Sequence, residues 1–275
     1  MNLIIIICGS SLEIYEYEYV PFLEEISIQA TKMIESRITG GEEAIPHSHP
    51  FTVGLHILTD SGKTVWCGGA LISIEWVLTA AHCVKKGREV MIYVGCHDRT
   101  KDCSRMKTSR SNIIKHESYS GRTLSNDIAL IKLPEPVLLD EKVQTIDLPK
   151  HNRRVSYVGK WATVSGWGIF SDSVSALSRV LRVVQLPIID RGTCQNRYTS
   201  VPIRETNICA ASPSRRSTCA GDSGGPLVLN KDGFDKVLIG ITSFGYKRGC
   251  EKGWPAVFTK VAPYVNWIKD KTGIY

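Results

Sequence analysis

The chain has 275 residues, 43% hydrophobic and 22% charged, an ordinary globular balance with length enough to bury a core. No apolar run reaches the roughly 18–20 residues of a membrane span, and no heptad, Gly-X-Y period or longer repeat is visible, so membrane helices, coiled coils, collagen and solenoids are excluded. The net charge of +7 is uneven, about −4 over residues 1–37 and about +11 over residues 38–275. No dense Lys/Arg run or aromatic RNA-binding motif accompanies it, so nucleic acid is not an expected partner.

Along the chain, Leu3–Cys8 is apolar and Gly9, Ser10 and Ser11 are small, so residues 1–11 read as a secretory signal with a short core and no preceding Lys or Arg. An acidic segment over 12–37 reads as a propeptide ending Glu35-Ser36-Arg37. From Ile38 the texture is all-β. Short apolar stretches such as Phe51–Leu58, Trp76–Ala80, Val90–Val94, Ile128–Leu133, Trp161–Ser165, Val180–Leu186, Val237–Phe244 and Ala256–Lys260 alternate with Gly, Pro, Asn and Asp. Many short strands of this kind predict a sandwich or barrels. The polar stretch Leu138–Arg154 reads as a link between two halves. Val261, Tyr264, Val265 and Ile268 fall at i, i+3, i+4 and i+7, which predicts a C-terminal helix over about 261–271.

Three places carry chemistry. Gly221-Asp222-Ser223-Gly224-Gly225-Pro226 sets a serine in a glycine-rich turn whose N–H groups can face an oxyanion. Leu78-Thr79-Ala80-Ala81-His82-Cys83 sets a histidine after an apolar strand. Ser125-Asn126-Asp127-Ile128-Ala129-Leu130 sets an aspartate before another. Taken alone, each has a plainer reading: a turn, a core histidine, a capping residue. Together they supply a weak nucleophile, the base it needs and a partner to fix that base's tautomer. Nine cysteines without a C-x-x-C pair do not read as zinc sites. Setting Cys8 aside leaves an even eight, which suggests four disulfides and an oxidising compartment.

The order His82, Asp127, Ser223 resembles that of the chymotrypsin-like (trypsin-fold) serine proteases, and differs from the α/β-hydrolase and subtilisin orders. The likeness covers 38–275. It rests on Trp66-Cys67-Gly68-Gly69-Ala70-Leu71-Ile72, Thr79–Cys83, Asn126–Leu130, Ser165-Gly166-Trp167-Gly168, Cys219–Pro226 and Ser243-Phe244-Gly245. It implies an all-β fold of two six-stranded antiparallel barrels, about 38–145 and 150–260, with the site in the cleft between them. It also implies a secreted peptidase, with Ser223 as nucleophile, His82 as base, Asp127 as its partner and the Gly221 and Ser223 N–H groups as oxyanion hole. Ser243 would support Asp127. Arg37-Ile38-Thr39-Gly40-Gly41 resembles the family's activation junction, with Thr39 where valine is common. Cleavage after Arg37 by an Arg-specific protease would free the Ile38 amine to pair with Asp222.

The resemblance places Ser217, Gly245 and Ala256 around the S1 pocket. Serine at its base offers no carboxylate to an Arg or Lys substrate, and burying that cation unpaired would cost several kcal/mol. Ala256, where glycine is usual, would make the pocket shallower, so apolar P1 residues (Leu, Met, Phe) are expected. Glu251 would stand at the rim beside Cys250, Ala220 would leave the pocket edge clear, and Leu124 would wall S2. Family pattern pairs Cys67 with Cys83, Cys194 with Cys209 and Cys219 with Cys250, leaving Cys96 and Cys103 for a local bridge. No cofactor or metal is expected, and the partners are protein substrates and protein inhibitors of a monomeric enzyme. Two other readings compete: a basic heparin- or surface-binding protein on the same scaffold, and an esterase. The intact set of three residues speaks against the first. Pro226 opening a strand speaks against the second.

Overall fold

The computed structural model describes residues 4–8, 11–15, 41–101, 103–152, 154–231 and 235–274. The chain divides into one unit over Met1–Ser36 and another over Arg37–Tyr275. In the first, β1 (Ile4–Cys8) and β2 (Ser11–Tyr15) form an antiparallel hairpin. The Arg37–Ile38 junction lies outside the described residues.

The second unit holds two curled antiparallel sheets. After β3 (Glu42–Glu43) come β4 (Thr52–Thr59), β5 (Thr64–Ser73), β6 (Trp76–Thr79), β7 (Gly87–Val94), β8 (Ser104–Ser109), β9 (Ile113–Lys115) and β10 (Ala129–Lys132). The first sheet runs β8-β7-β4-β5-β6-β10-β9. Its two edge strands, β8 and β9, are consecutive in the chain and joined by the 3-10 turn Arg110–Asn112. Among the described residues β8 and β9 do not pair, so this sheet is curled and not closed by a ladder. The second sheet takes β11 (Trp161–Gly166), β12 (Arg182–Ile189), β13 (Asn207–Ala210), β14 (Pro226–Lys231), β15 (Asp235–Phe244) and β16 (Ala256–Lys260) in the order β11-β14-β15-β16-β13-β12, and closes through β11–β12. The two expected six-stranded barrels thus stand as one closed six-stranded ring and one curled seven-stranded sheet. β3 joins the ring's β12 edge, Glu43 opposite Arg182, although its place in the chain put it with the first half.

Alternation decides which faces turn inward. In β7, Val90, Ile92 and Val94 are buried while Met91 and Tyr93 between them are half-buried; in β12, Val184, Leu186 and Ile188 are buried while Gln185 is exposed. Each such side chain stabilises the fold by roughly 1.5–3 kcal/mol relative to exposure. Val143 and Ile146 of the linking stretch are buried in the first core, and Ile146 N donates to Leu71 O at 2.9 Å. The expected terminal helix is a 3-10 turn, Ala262–Tyr264, running into an α-helix, Val265–Thr272. Gly273 ends it at φ 73°, its N–H returning to Lys269 O, a left-handed cap that a side chain would strain. Val261, Tyr264 and Ile268 pack on the first sheet's core, so this segment pins the end of the second half to the first. Among the described residues no helix is long and apolar enough to cross a membrane.

Candidate active site

Strand pairing brings His82 and Asp127 together. β6 leads through Ala80 into a single helical turn, α1 (Ala81–Val84), which carries His82. β10 pairs with β6, Ala129 opposite Thr79, so the residue two before Ala129 arrives beside that turn. Asp127 is fully buried. Its Oδ1 accepts from His82 N at 2.8 Å, and its Oδ2 accepts from His82 Nδ1 at 2.7 Å and from Ser243 Oγ at 2.6 Å. The Thr259 hydroxyl donates to Asp127 O at 2.9 Å. A buried carboxylate needs such partners. Because an ionised carboxylate only accepts, the imidazole proton sits on Nδ1 and leaves Nε2 as a proton acceptor. The His82 side chain is 21% exposed, so that face is open to a substrate. Ser243 lies on β15 and Thr259 on β16, so the second barrel holds the aspartate of the first.

Ser223 sits on the turn before β14. Ser223 O accepts from Gly68 N of β5 at 2.7 Å, and Gly224 N donates to Thr242 O at 2.8 Å. Between them these bonds tie the turn to both barrels. The Cys83 sulfur lies 3.8 Å from His82 Nε2 and 3.5 Å from Ser223 O, so histidine and serine flank one spot. Among the described residues neither the Gly221 N–H nor the Ser223 N–H bonds to another protein group, which leaves two donors for an incoming oxygen. Gly221 has φ 98°, and a Cβ there would stand 2.5 Å from Leu177 Cδ2 and 3.0 Å from Gly168 Cα. Gly224 has φ 81°, with Thr79 Oγ1 and Gly68 O at 2.3 and 2.6 Å from a built Cβ. Both positions require glycine. Gly224→Ala is expected to destabilise the fold by about 2–3 kcal/mol, from left-handed strain and a clash with a backbone oxygen that cannot move aside. It should appear as a lower urea midpoint at unchanged m-value.

Asp222, beside Ser223, is fully buried. Its two oxygens accept from Gly168 N at 2.8 Å and Cys219 N at 3.0 Å. Burial pushes its pKa up to about 6, against the opposing pull of those two N–H groups. The Ser165–Gly168 motif gains a function here that the sequence did not reveal. A Cβ at Gly166 or Gly168 would fall 2.3–2.5 Å from the Asp222 carboxylate, so these glycines leave room for it.

A cavity of about 170 Å³ opens beside Ser223, lined by Ser217, Thr218, Cys219, Ala220 and Gly245 among others. Ser217 is buried deep in it. Ala256 is not among the lining residues. It is buried in the second barrel's core, opposite Ala210 on β13. The sequence did not foretell the wall made by Phe244, Tyr246 and Trp254. Tyr246 and Trp254 stack with centroids 4.2 Å apart and planes within 7°. The signal was two aromatic residues, Tyr246 and Trp254, flanking the loop 247–253 with its two glycines. Leu124 is half-buried at φ 52° in the loop before Asp127, and Glu251 flanks the cavity without lining it. Larger cavities of about 320 and 810 Å³ lie elsewhere and contain none of His82, Asp127 or Ser223.

Four disulfides join Cys67–Cys83, Cys96–Cys103, Cys194–Cys209 and Cys219–Cys250. The first anchors the His82 turn, and the last joins two walls of the cavity. Cys67, His82 and Cys83 approach one another closely, as do Asp172, Cys219 and Cys250, but sulfurs in disulfides have no thiolate to offer a metal.

The trypsin family model matches residues 38–268. Brachyurin of Leptuca pugilator is 41% identical over 238 residues, covering 86% of this chain and 99% of that protein. Collagenase of Hypoderma lineatum is 38% identical over 242 residues, covering 87% and 89%. A solved HL collagenase structure superposes with a TM-score of 0.77 at 37% identity, covering 86% of this chain and all of that one. With a buried aspartate holding a histidine beside a glycine-bounded serine, on a curled β-sheet and a closed β-ring, the chain belongs to the trypsin family and is a chymotrypsin-like serine endopeptidase.

Proposed function

We propose that the chain is a secreted zymogen, cut after Arg37 by an Arg-specific protease, whose 38–275 domain then hydrolyses peptide bonds after apolar P1 residues, with Leu, Met and Phe favoured. Ser223 attacks the scissile carbonyl, and His82 Nε2 takes its proton and later passes it to the leaving amine. Asp127 holds the imidazole and stabilises its charged form. The Gly221 and Ser223 N–H groups bind the oxyanion, and an acyl-enzyme on Ser223 is then hydrolysed by the reverse sequence. Protein substrates, an activating protease and protein inhibitors are the partners, and the enzyme acts as a monomer.

The observation that carries the P1 assignment is Ser217, a neutral hydroxyl buried in a cavity whose lining contains no Asp or Glu. An Arg or Lys side chain entering it would lose its hydration without gaining a counter-charge, a cost of several kcal/mol. The aromatic wall of Phe244, Tyr246 and Trp254 rewards an apolar side chain instead.

To test this, the zymogen is cut with immobilised trypsin, the trypsin is removed, and kcat/KM is measured on peptides varied only at P1. Ser223→Ala treated identically is the control. Leu, Met and Phe are expected to exceed Arg by about a hundredfold or more, the factor that several kcal/mol yields. Turnover fastest at P1 Arg would overturn the pocket assignment and leave the protease standing. No activity despite a clean Ile38 terminus would favour a binding protein on this scaffold.

A further inference from the structure

The loop 168–178 touches both halves of the proposed site. At one end Gly168 N donates to the Asp222 carboxylate at 2.8 Å, Ile169 N donates to Ala220 O at 2.8 Å, and Leu177 bounds the space beside Gly221. Between these contacts, the Asp172 side chain reaches across to the far wall of the cavity. Its Oδ1 accepts from Cys250 N at 2.7 Å and its Oδ2 accepts from Glu251 N at 3.2 Å. One carboxylate thus takes up two consecutive backbone N–H groups at the point where the chain turns through Gly249, at φ 129°. A Cβ on Gly249 would lie 2.4 Å from Asp172 Oδ2, so the carboxylate is packed directly against that turn. Gly249 and Cys250 line the cavity, and Cys250 is bonded to Cys219 on its opposite wall.

We propose that Asp172 is a positioning residue for substrate selection: its carboxylate clamps the Gly249–Glu251 segment to the loop that also braces the oxyanion turn, and so fixes the width of the pocket that receives the P1 side chain. The inference rests on reading the Ser217 cavity as S1. The disulfide alone ties Cys250 at one atom and leaves the segment free to pivot about it. Two charge-assisted bonds from a single carboxylate remove that freedom. The wall matters most to a P1 side chain long enough to reach it. A small P1 residue is held by backbone contacts and does not depend on it.

The test compares wild type, Asp172→Asn and Asp172→Ala after activation, with each enzyme normalised by active-site titration so that only competent molecules count. Peptides differ only at P1, Leu or Phe against Ala. Asp172→Ala is expected to lower kcat/KM for P1 Leu and Phe about tenfold, the equivalent of one lost charged hydrogen bond, through KM more than kcat, while P1 Ala changes less than about twofold. Asp172→Asn keeps one acceptor oxygen and should fall between. An equal loss on all three substrates, or a loss in kcat alone, would overturn the proposal and mark Asp172 as a general stabiliser. A wild-type enzyme that prefers P1 Arg would overturn the pocket reading instead, and that result is visible before any variant is made.

Discussion

Asp127→Asn is expected to lower kcat about 10⁴-fold with little change in KM, and Ser223→Ala about 10⁶-fold, the size of loss that serine-histidine-aspartate triads show. The first substitution is nearly isosteric, and the bonds around residue 127 explain why shape does not save it. The Asp127 carboxylate accepts from His82 N, His82 Nδ1 and Ser243 Oγ. An amide has one oxygen and an NH₂ group. If the oxygen faces His82 N, the NH₂ faces Nδ1 and forces it to accept, which moves the imidazole proton to Nε2. The base is then protonated at the atom that must receive the Ser223 proton. Ser223→Ala removes the nucleophile and leaves the pocket and the Gly221 donor, so residual catalysis above water should persist. Because the residues act as one unit, the double variant should be no slower than Ser223→Ala alone. The measurement is kcat and KM on one P1 Leu peptide, with thermal midpoints to confirm that each variant is folded. A loss below about tenfold in Asp127→Asn would remove Asp127 from the proposed mechanism.

These residues were legible because each sits in a short, tightly constrained geometry. A strand end, one helical turn and a glycine-bounded turn leave few ways to place His82, Asp127 and Ser223, and the local strings show it. The alternating strands were legible for the same reason: β7 buries every second residue from Val90 to Val94, and β12 from Val184 to Ile188. What escaped was whatever depends on contacts distant in the chain. β8, Ser104–Ser109, is an edge strand with one buried residue, Thr108, so it has no hydrophobic rhythm to read. β3 contributes two exposed glutamates to a sheet whose other strands begin over a hundred residues later. The family resemblance put Ala256 at the pocket, and the fold buries it among the core residues of the ring, two residues after the cavity-lining Trp254. A motif gives the strand on which a residue lies and leaves open which neighbours its methyl meets. Tyr246 and Trp254 stack only because the loop between them folds back. Asp172 gave no signal at all, since its partners are backbone N–H groups far along the chain, at separations of 78 and 79 residues.

Cleavage after Arg37 is expected to stabilise the domain by roughly 3 kcal/mol at pH 7 and by almost nothing at pH 4, and this difference should vanish in Asp222→Asn. One buried carboxyl carries the effect. Among the described residues Asp222 forms no ion pair, and burial raises its pKa from 3.8 to about 6. A folded-state pKa above the unfolded value means that, between about pH 4 and 6, the folded chain keeps a proton that the unfolded chain has lost. Stability of the uncut chain therefore falls as pH rises through that window, by about 1.4 kcal/mol for each pH unit separating the two values, and stays lower above it. If the freed Ile38 amine pairs with Asp222, the carboxylate gains a counter-charge and its folded pKa drops, so the cost at neutral pH disappears. Below about pH 4 the carboxyl is protonated in both states and the amine has no anion to meet. At the other end, pairing raises the folded amine's pKa above its ordinary value of about 8, so the gain is lost again as pH rises through that raised value. The measurement is a pair of urea titrations, cut and uncut, at pH 4, 7 and 10, on a Ser223→Ala background to prevent self-digestion. A gain on cutting that is equal at pH 4 and 7 would sink the pairing. Activity supplies the second arm. On the active background, Asp222→Asn should cut cleanly after Arg37 yet remain about a hundredfold or more less active, because the turn bearing Gly221 and Ser223 loses the ion pair that orders its oxyanion donors, and one such donor alone is worth about 10²–10³ in kcat.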